Sequence, residues 1–300
     1  MTEGITWFLP IEEQFIIWLQ QLGNGSFLQT VLIALNNVFS FFGEEMICIA
    51  VMGFVYWGLD KKKGEVIALA IMFANVSIGL LKNVFSRLRP YIVSDRIDIL
   101  REVDGYSFPS GHSANSTALY PTTASVFGGK KWLKIIAIAL PLLIGVSRCY
   151  LGAHWPTDVL VGWCLGLVSF AFAALVLPKM KNKYVLYIIL IAVSSVGLFY
   201  CRTSDYYNAY GMLIGLTLGL LMEEKTVKFE NTTNIFKCIL RTAIGCGLYF
   251  GLSTLIKLFI GNIFPEDSYG WFIMRTVRYG IVAFLLIGVY PMAFRWKVLK

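Results

Sequence analysis

The sequence predicts an all-α protein that crosses a membrane about nine times around a helical-bundle core. Hydrophobic residues make up 57% of the 300 residues, charged residues only 15%, and the mean hydropathy is +0.67. Soluble globular proteins carry roughly 25% charged residues. The apolar excess recurs along the whole chain in runs of about 20 residues, the length of a helix that crosses a bilayer. We therefore expect a polytopic membrane protein rather than a soluble one.

An N-terminal segment, residues 1–43, contains no Lys or Arg. It holds an amphipathic stretch, Ile11 to Leu22, and a short apolar stretch, Phe27 to Phe42. We expect both to lie at the membrane surface or to dip into it. The alternative makes Gly25 to Phe42 a tenth span. The first residues lack a basic region followed by an apolar run, so we expect no cleavable signal peptide.

Apolar runs then follow one another along the rest of the chain. The nine predicted spans are residues 45–60, 64–86, 112–129, 132–150, 155–177, 185–201, 207–222, 237–259 and 272–294. We divide the chain into the interfacial segment 1–43, a membrane core at 44–177 and a C-terminal membrane extension of four helices at 178–300.

Basic residues predict the orientation, because they concentrate in the cytoplasmic loops of membrane proteins. With nine spans, every basic loop cluster falls on one side and the N-terminal segment on the other. The clusters are Lys61, Lys62 and Lys63; Lys130, Lys131 and Lys134; Lys179, Lys181 and Lys183; Lys225 and Lys228; and Arg295, Lys297 and Lys300. We therefore expect a cytoplasmic C-terminus. The same pattern accounts for the net charge of +8 without a nucleic-acid partner.

The chain contains only two histidines, and both lie at predicted outer ends of helices. His154 precedes Asp158 by four residues, with Pro156 between them, and proline is tolerated in the first turn of a helix. Residues four apart stack on one helix face. The carboxylate would then hold one ring nitrogen and leave the other free to act as a nucleophile. On spacing alone, Asp158 is equally well a helix-start carboxylate favoured by the helix dipole.

The second histidine lies in Pro109-Ser110-Gly111-His112, directly before an apolar run. A serine at a helix N-cap accompanies free backbone amides and a positive helix end, which suit an anion such as phosphate. Ordinary capping is the alternative.

Several cations are expected on the outer side, against the usual charge bias. Lys82, Arg89 and Arg148 need an anionic partner or a function there, and a bound phosphate would supply one. Arg87 is interpreted instead as an interfacial residue whose charged end reaches toward water.

The six cysteines are scattered without metal-ligand spacing, so we expect buried thiols rather than a metal site.

The combined spacing Lys82-(x6)-Arg89-Pro90, Pro109-Ser110-Gly111-His112 and Ser147-Arg148-(x5)-His154-(x3)-Asp158 resembles the three-part signature of the type 2 phosphatidic acid phosphatase superfamily. The resemblance covers Lys82 to Asp158 at the level of motifs and the helical core to about residue 177. It implies a metal-independent phosphatase without a cofactor.

The resemblance also implies the role of each residue. His154 would attack phosphorus to form a phosphohistidine, Asp158 would orient it, and His112 would protonate the leaving oxygen and then activate water. The phosphoryl oxygens would be bound by Lys82, Arg89, Ser110, Gly111 and Arg148.

We expect the substrate to be a lipid phosphate or pyrophosphate, such as undecaprenyl diphosphate, phosphatidic acid or phosphatidylglycerophosphate. The enzyme would lie in the plasma membrane with its active site on the outer face. Three alternatives remain: a phosphatase of a soluble phosphoester, as the nine-span layout of the glucose-6-phosphatase branch indicates; a phosphotransferase that moves a lipid head group; and a channel or transporter. The sequence specifies neither the substrate nor the oligomeric state.

Overall fold

A computed structural model describes residues 4–261, 263–296 and 298–299, and these fold as a bundle of helices without a β-sheet. The all-α prediction is therefore confirmed. The helices are α1 (Pro10–Gln21), α2 (Phe27–Phe41), α3 (Glu45–Gly53), α4 (Lys61–Phe85), α5 (Pro90–Val93), α6 (Gly111–Val126), α7 (Lys131–Tyr150), α8 (Pro156–Val176), α9 (Lys183–Ser194), α10 (Gly197–Tyr200), α11 (Ser204–Met222), α12 (Ile235–Ile260) and α13 (Tyr269–Phe284). Wider π-helical turns extend three of them, Phe54–Leu59 after α3, Glu223–Val227 after α11 and Leu285–Val289 after α13.

Six helices in the described part of the chain are long and apolar enough to span a membrane, and a seventh span is possible if α2 and α3 count as one. The helices α2 and α3 are bent by 47° at their junction. Six of the nine predicted spans coincide with these helices. The segments 112–129 and 207–222 fold as α6 and α11, which do not meet the criterion, and the count of nine is therefore not confirmed.

The helix α6 is less apolar because it is enclosed by protein rather than lipid. It packs against α4, α7 and α8. The buried hydroxyl of Thr117 donates to the carbonyl of Ser113, and Thr122 does the same to Ala118. A Cβ atom added to Gly166 of α8 would lie 2.1 Å from Thr117 Oγ1, so only glycine permits this approach. A helix at the centre of the bundle can therefore have a lower hydropathy than a helix that faces lipid.

The predicted extension packs directly on the predicted core. The helix α11 lies between α13 and α4, and the π turn after α3 contacts α12. The buried indole of Trp57 donates to the carbonyl of Leu286 at 3.2 Å. The guanidinium of Arg241 donates to the carbonyl of Trp57 at 2.7 Å. These contacts join the two parts of the chain through one hydrophobic core.

The predicted basic clusters gather at one end of the bundle. Lys61 pairs with Glu223 at 2.7 Å, and Lys183 pairs with Glu65 at 2.8 Å. Arg295 donates to the carbonyl of Val227. Lys297 and Lys300 lie outside the described residues. The opposite end carries the C-terminal ends of α4 and α7 and the N-terminal ends of α6, α8 and α11, where both histidines lie.

Candidate active site

The sequence-predicted site residues come together where four helix ends meet. Lys82 and Arg89 flank the end of α4, Arg148 lies in the last turn of α7, and His154 and Asp158 flank the start of α8. Ser110, Gly111 and His112 form the start of α6. The helices α4, α6, α7 and α8 thus bring the site residues to one end of the bundle.

The ring of His154 connects a carboxylate on one side with a cation on the other. Its Nδ1 lies 3.5 Å from Asp158 Oδ2, and its Nε2 lies 3.4 Å from Arg89 Nη1. A guanidinium can only donate hydrogen bonds, so it favours the tautomer with the lone pair on Nε2 and the proton on Nδ1. That tautomer places the free lone pair on Nε2, beside Arg89.

Asp158 is buried and its carboxylate accepts three further hydrogen bonds. The donors are the Trp155 amide at 2.8 Å, Arg87 Nη1 at 2.5 Å and the Ser107 hydroxyl. The bond from Trp155 closes the first turn of α8, which begins at Pro156. The carbonyl of Asp158 accepts from the Ser110 amide at 3.0 Å. One residue therefore orients the histidine ring and links the starts of α6 and α8.

The loop between Arg148 and His154 is tight. The carbonyl of Arg148 accepts from the amides of Ala153 and His154. Gly152 has a φ of 74°, and an added Cβ would lie 2.8 Å from the carbonyl oxygen of Asp98. Only glycine fits this left-handed, crowded position without strain. The turn fixes the histidine directly above the end of α7.

The interpretation of Arg87 as a side chain that reaches toward water is wrong. Its side chain is fully buried, and its two terminal nitrogens pair with Asp158 at 2.5 Å and Glu12 at 3.0 Å. The guanidinium also stacks on the ring of Trp7 at 3.8 Å. A buried cation is tolerated because two carboxylates compensate its charge. The fork of Arg87 thus connects α1 to the orienting aspartate.

The N-terminal segment contributes two side chains that the sequence did not single out. Glu12 of α1 pairs with Arg87 and accepts from the amide and hydroxyl of Thr157 at the start of α8. Ser40, near the end of α2, accepts from Arg148 Nη1 at 2.6 Å. The sequence predicted only an amphipathic stretch here, and nothing in it indicates which residues the Glu12 carboxylate contacts. The placement of this segment on the membrane surface stays a prediction.

Two buried guanidinium groups form no ion pair with a carboxylate in the described part of the chain. Arg89 donates to the carbonyls of Gly105, Ala153 and Asp104. Arg148 keeps Nε and Nη2 buried without any hydrogen-bond partner among the described residues. Buried donors and uncompensated charge are costly, and an oxyanion satisfies both at once. This pair is the strongest anion-binding feature of the site.

The start of α6 adds neutral donors. Ser110 Oγ accepts from the Ser113 amide, as expected of an N-cap residue. An added Cβ on Gly111 would meet nothing within 4 Å, so the end of the helix is open. The Nε2 atom of His112 is buried and has no partner within the described residues. The helix end and its histidine are therefore available to a bound group.

Lys82 has a partner that the sequence analysis missed. Its Nζ lies 2.6 Å from Asp205 Oδ2, at the start of α11 in the extension. The Lys82 side chain is 9% exposed and that of Asp205 is 48% exposed, because Asp205 faces a cavity. In the sequence, the contact is indicated only by the position of Asp205, an acidic residue at the predicted outer end of an apolar segment.

The surroundings of His154 favour its neutral form. Burial lowers its pKa well below the usual range of histidine, and the charges of Arg89, Arg148 and Lys82 lower the pKa further. A neutral imidazole keeps the lone pair that nucleophilic attack requires.

A cavity of about 310 Å³ opens beside these residues. Lys82, Arg89, Gly111, His112 and His154 line its polar end. The arrangement can therefore hold a phosphoryl group between cations and helix amides, with one histidine to attack phosphorus and a second beside it.

Two sequence profiles of one superfamily match this chain. The sequence profile of the PAP2 superfamily matches residues 65–183, and that of the PAP2 superfamily phosphatase transmembrane extension matches residues 207–299. Phosphatidylglycerophosphatase B of Bacillus subtilis is 40% identical over 99 residues, which are 30% of this chain and 46% of that protein. Undecaprenyl-diphosphatase of Sulfolobus acidocaldarius is 32% identical over 130 residues, which are 42% of this chain and 61% of that protein.

The aligned regions span about half the length of these two curated relatives. The crystal structure of Aquifex aeolicus LpxE is 24% identical, covers 57% of this chain and 98% of that one, and superposes with a TM-score of 0.49.

Proposed function

Because residues 65–183 and 207–299 place this chain in the PAP2 superfamily, we propose that it is a membrane phosphatase that hydrolyses a lipid phosphate or pyrophosphate through a phosphohistidine. The observation that carries the proposal is the placement of His154. Its Nε2 lies 3.4 Å from Nη1 of the buried Arg89, and its Nδ1 lies 3.5 Å from the buried Asp158. The buried Arg148 has two nitrogens without a hydrogen-bond partner in the described chain.

In the first step, the phosphoryl group binds between Arg89, Arg148 and Lys82, with the amides at the start of α6 as further donors. His154 Nε2 attacks phosphorus, and the bond from phosphorus to the leaving oxygen breaks. His112 donates a proton to that oxygen. Asp158 holds the Nδ1 proton of His154 and stabilises the positive charge that develops on the ring.

In the second step, His112 takes a proton from water. The resulting hydroxide attacks the phosphohistidine, inorganic phosphate leaves, and His154 regains its lone pair. Phosphoryl transfer depends mainly on positioning and charge stabilisation, and the arginines and helix amides provide both. The orientation of His154 by Asp158 supplies the positioning.

A lipid substrate is supported by the location of the site. The site lies at the ends of membrane-length helices, and its cavity continues into the bundle. Two similar proteins are named for lipid substrates, phosphatidylglycerophosphate and undecaprenyl diphosphate. The basic clusters lie at the opposite end of the bundle, which favours an extracytoplasmic site in the plasma membrane and a cytoplasmic C-terminus.

The test is phosphate release from a panel of undecaprenyl diphosphate, phosphatidic acid and phosphatidylglycerophosphate, measured with purified protein in detergent and EDTA. We expect release from at least one lipid in EDTA, and a loss on the order of 10³-fold or more in His154→Ala. Release from none of the lipids, or activity that EDTA abolishes, would contradict the proposal. A wild-type phosphoenzyme that is acid-labile and absent in His154→Ala would identify the nucleophile.

A further inference from the structure

The cavity beside the histidines continues far into the bundle. On α4 its lining extends from Lys82 down to Ile71 and Ala68. Fourteen residues of α-helix separate Lys82 from Ala68, a depth of about 21 Å. The hydrocarbon core of a bilayer is about 30 Å thick. The cavity therefore reaches through most of the apolar depth of the bundle.

The lining changes from polar to apolar with depth. Near the histidines it includes Glu45, Asp205 and Asn208. One or more helical turns further down α11, it includes Met212 and Leu216. The deepest polar side chain that α4 contributes to the lining, Asn75, already donates to the carbonyl of Ile71 at 3.0 Å. A cavity with an apolar lining favours an apolar ligand over water.

The two walls of the lower cavity come from different parts of the chain. Ala68 and Ile71 belong to α4, inside the region that matches the PAP2 superfamily. Leu216, Leu286 and Ile287 belong to the region that matches the transmembrane extension. The catalytic residues proposed above all precede residue 159, so the extension contributes to the site mainly by closing this cavity.

We propose that the lower cavity, here called the chain pocket, binds one hydrocarbon chain of the substrate between α4 and the extension. This inference rests on the proposed function. In the proposed mechanism His112 protonates the leaving oxygen, and both His112 and His154 line this cavity, so a lipid chain attached to that oxygen can enter it. The whole cavity, including its polar end, has a volume of about 310 Å³, which is at the small end for a ligand pocket, so its lower part fits one chain rather than two.

A competition assay tests the pocket. Octyl phosphate and hexadecyl phosphate are mixed in the same detergent micelles, and the ratio of the two alcohols released is measured by mass spectrometry. An extended octyl chain is about 10 Å long. It ends above Leu216, which lies about 16 Å along α11 from Asp205. Leu216→Trp fills the pocket below that level, so we expect it to lower the hexadecyl-to-octyl ratio about tenfold or more.

The matched control is Leu218→Trp on the same helix, because Leu218 is 50% exposed whereas Leu216 is 4% exposed. We expect Leu218→Trp to keep the wild-type ratio. Ile71→Phe narrows the pocket from the opposite wall and should also lower the hexadecyl-to-octyl ratio. If Leu216→Trp releases neither alcohol, the ratio measured with Ile71→Phe tests the chain pocket instead.

An unchanged ratio in pocket variants that still release octanol would overturn the chain pocket while leaving the phosphatase intact. An equal fall in Leu218→Trp would overturn it as well. Wild-type protein that releases neither these alcohols nor phosphate from the lipid panel would instead contradict the proposed function itself.

Discussion

Arg87 Nη1 lies 2.5 Å from Asp158 Oδ1, and neither side chain is exposed. The other terminal nitrogen of the same guanidinium lies 3.0 Å from Glu12. A continuous set of contacts therefore runs from α1 through Arg87 and Asp158 to the ring of His154. In the proposed mechanism, Glu12, Arg87 and Asp158 orient the nucleophile and do not bind the phosphoryl group.

Arg87→Gln should lower both stability and turnover. Breaking a buried ion pair costs about 3–5 kcal/mol, because the carboxylates stay buried without their cation. We expect a clear fall in Tm in detergent. Loss of the orientation of Asp158 should reduce kcat on the order of 10²-fold. KM should change little, since the phosphate-binding cations remain.

Arg96→Gln is the control for this variant. Arg96 pairs with Glu13 of the same helix α1, but its side chain is 67% exposed. An exposed pair contributes about 0–1 kcal/mol, so Tm and kcat should stay close to wild type. A rise in KM with unchanged kcat in Arg87→Gln would show that Arg87 binds substrate rather than positioning Asp158.

Asp205→Asn should strengthen phosphate binding. Asp205 pairs with Lys82 at 2.6 Å and so offsets part of the positive charge that a phosphate would meet. Since the carboxylate is about half exposed, its effect is discounted to about 1 kcal/mol. The inhibition constant of inorganic phosphate should therefore fall about fivefold.

Asp95→Asn serves as the control, because this exposed carboxylate lies outside the cavity and should leave phosphate inhibition unchanged. Weaker inhibition in Asp205→Asn would mean that Asp205 chiefly holds Lys82 in its binding position.

The pH profile should reflect the electropositive surroundings of His154. Burial, Arg89, Arg148 and Lys82 lower the pKa of His154, so its imidazole stays neutral at pH values where a free histidine is protonated. The rate should fall only when the pH drops through this lowered pKa. We therefore expect the acid limb of kcat/KM, which reports the free enzyme, below the usual histidine range.

Arg148→Gln removes one of these charges. The pKa of His154 should then rise, and the acid limb of its residual activity should move to higher pH. Ionisation of the substrate phosphate affects wild type and Arg148→Gln equally, so a difference between their pH profiles is caused by a group of the enzyme. An acid limb at the same pH in both proteins would exclude His154 as the group that titrates.

His112→Ala should separate the two chemical steps. An aryl phosphate with a good leaving group needs no proton from His112, but hydrolysis of the phosphohistidine needs the same residue to activate water. We expect one rapid turnover followed by a rate about 10²–10⁴-fold below wild type, with phosphoenzyme accumulating. The double variant His112→Ala/His154→Ala should show neither burst nor label. If His112→Ala shows a burst of normal size followed by the wild-type steady rate, His112 takes no part in the second step.

The recognisable part of the site depends on local spacing. His154 and Asp158 are four residues apart, Ser110 caps the helix whose first turn contains His112, and Arg148 precedes His154 by one tight turn. Such relations can be recognised in the sequence, because a fixed spacing along a helix or a tight turn sets the distance between the side chains. Hydropathy was a weaker guide for α6 and α11, which are covered by protein instead of lipid.

By itself, the sequence determined that this protein is a helical membrane protein with the PAP2 constellation of histidines and cations. Only the tertiary structure decided that Arg87 is buried between Glu12 and Asp158, that Asp205 pairs with Lys82, and that the extension closes a deep cavity. These contacts join residues more than 70 positions apart. Which side chains meet at such separations depends on how the helices pack, and no periodicity or spacing in the chain records it.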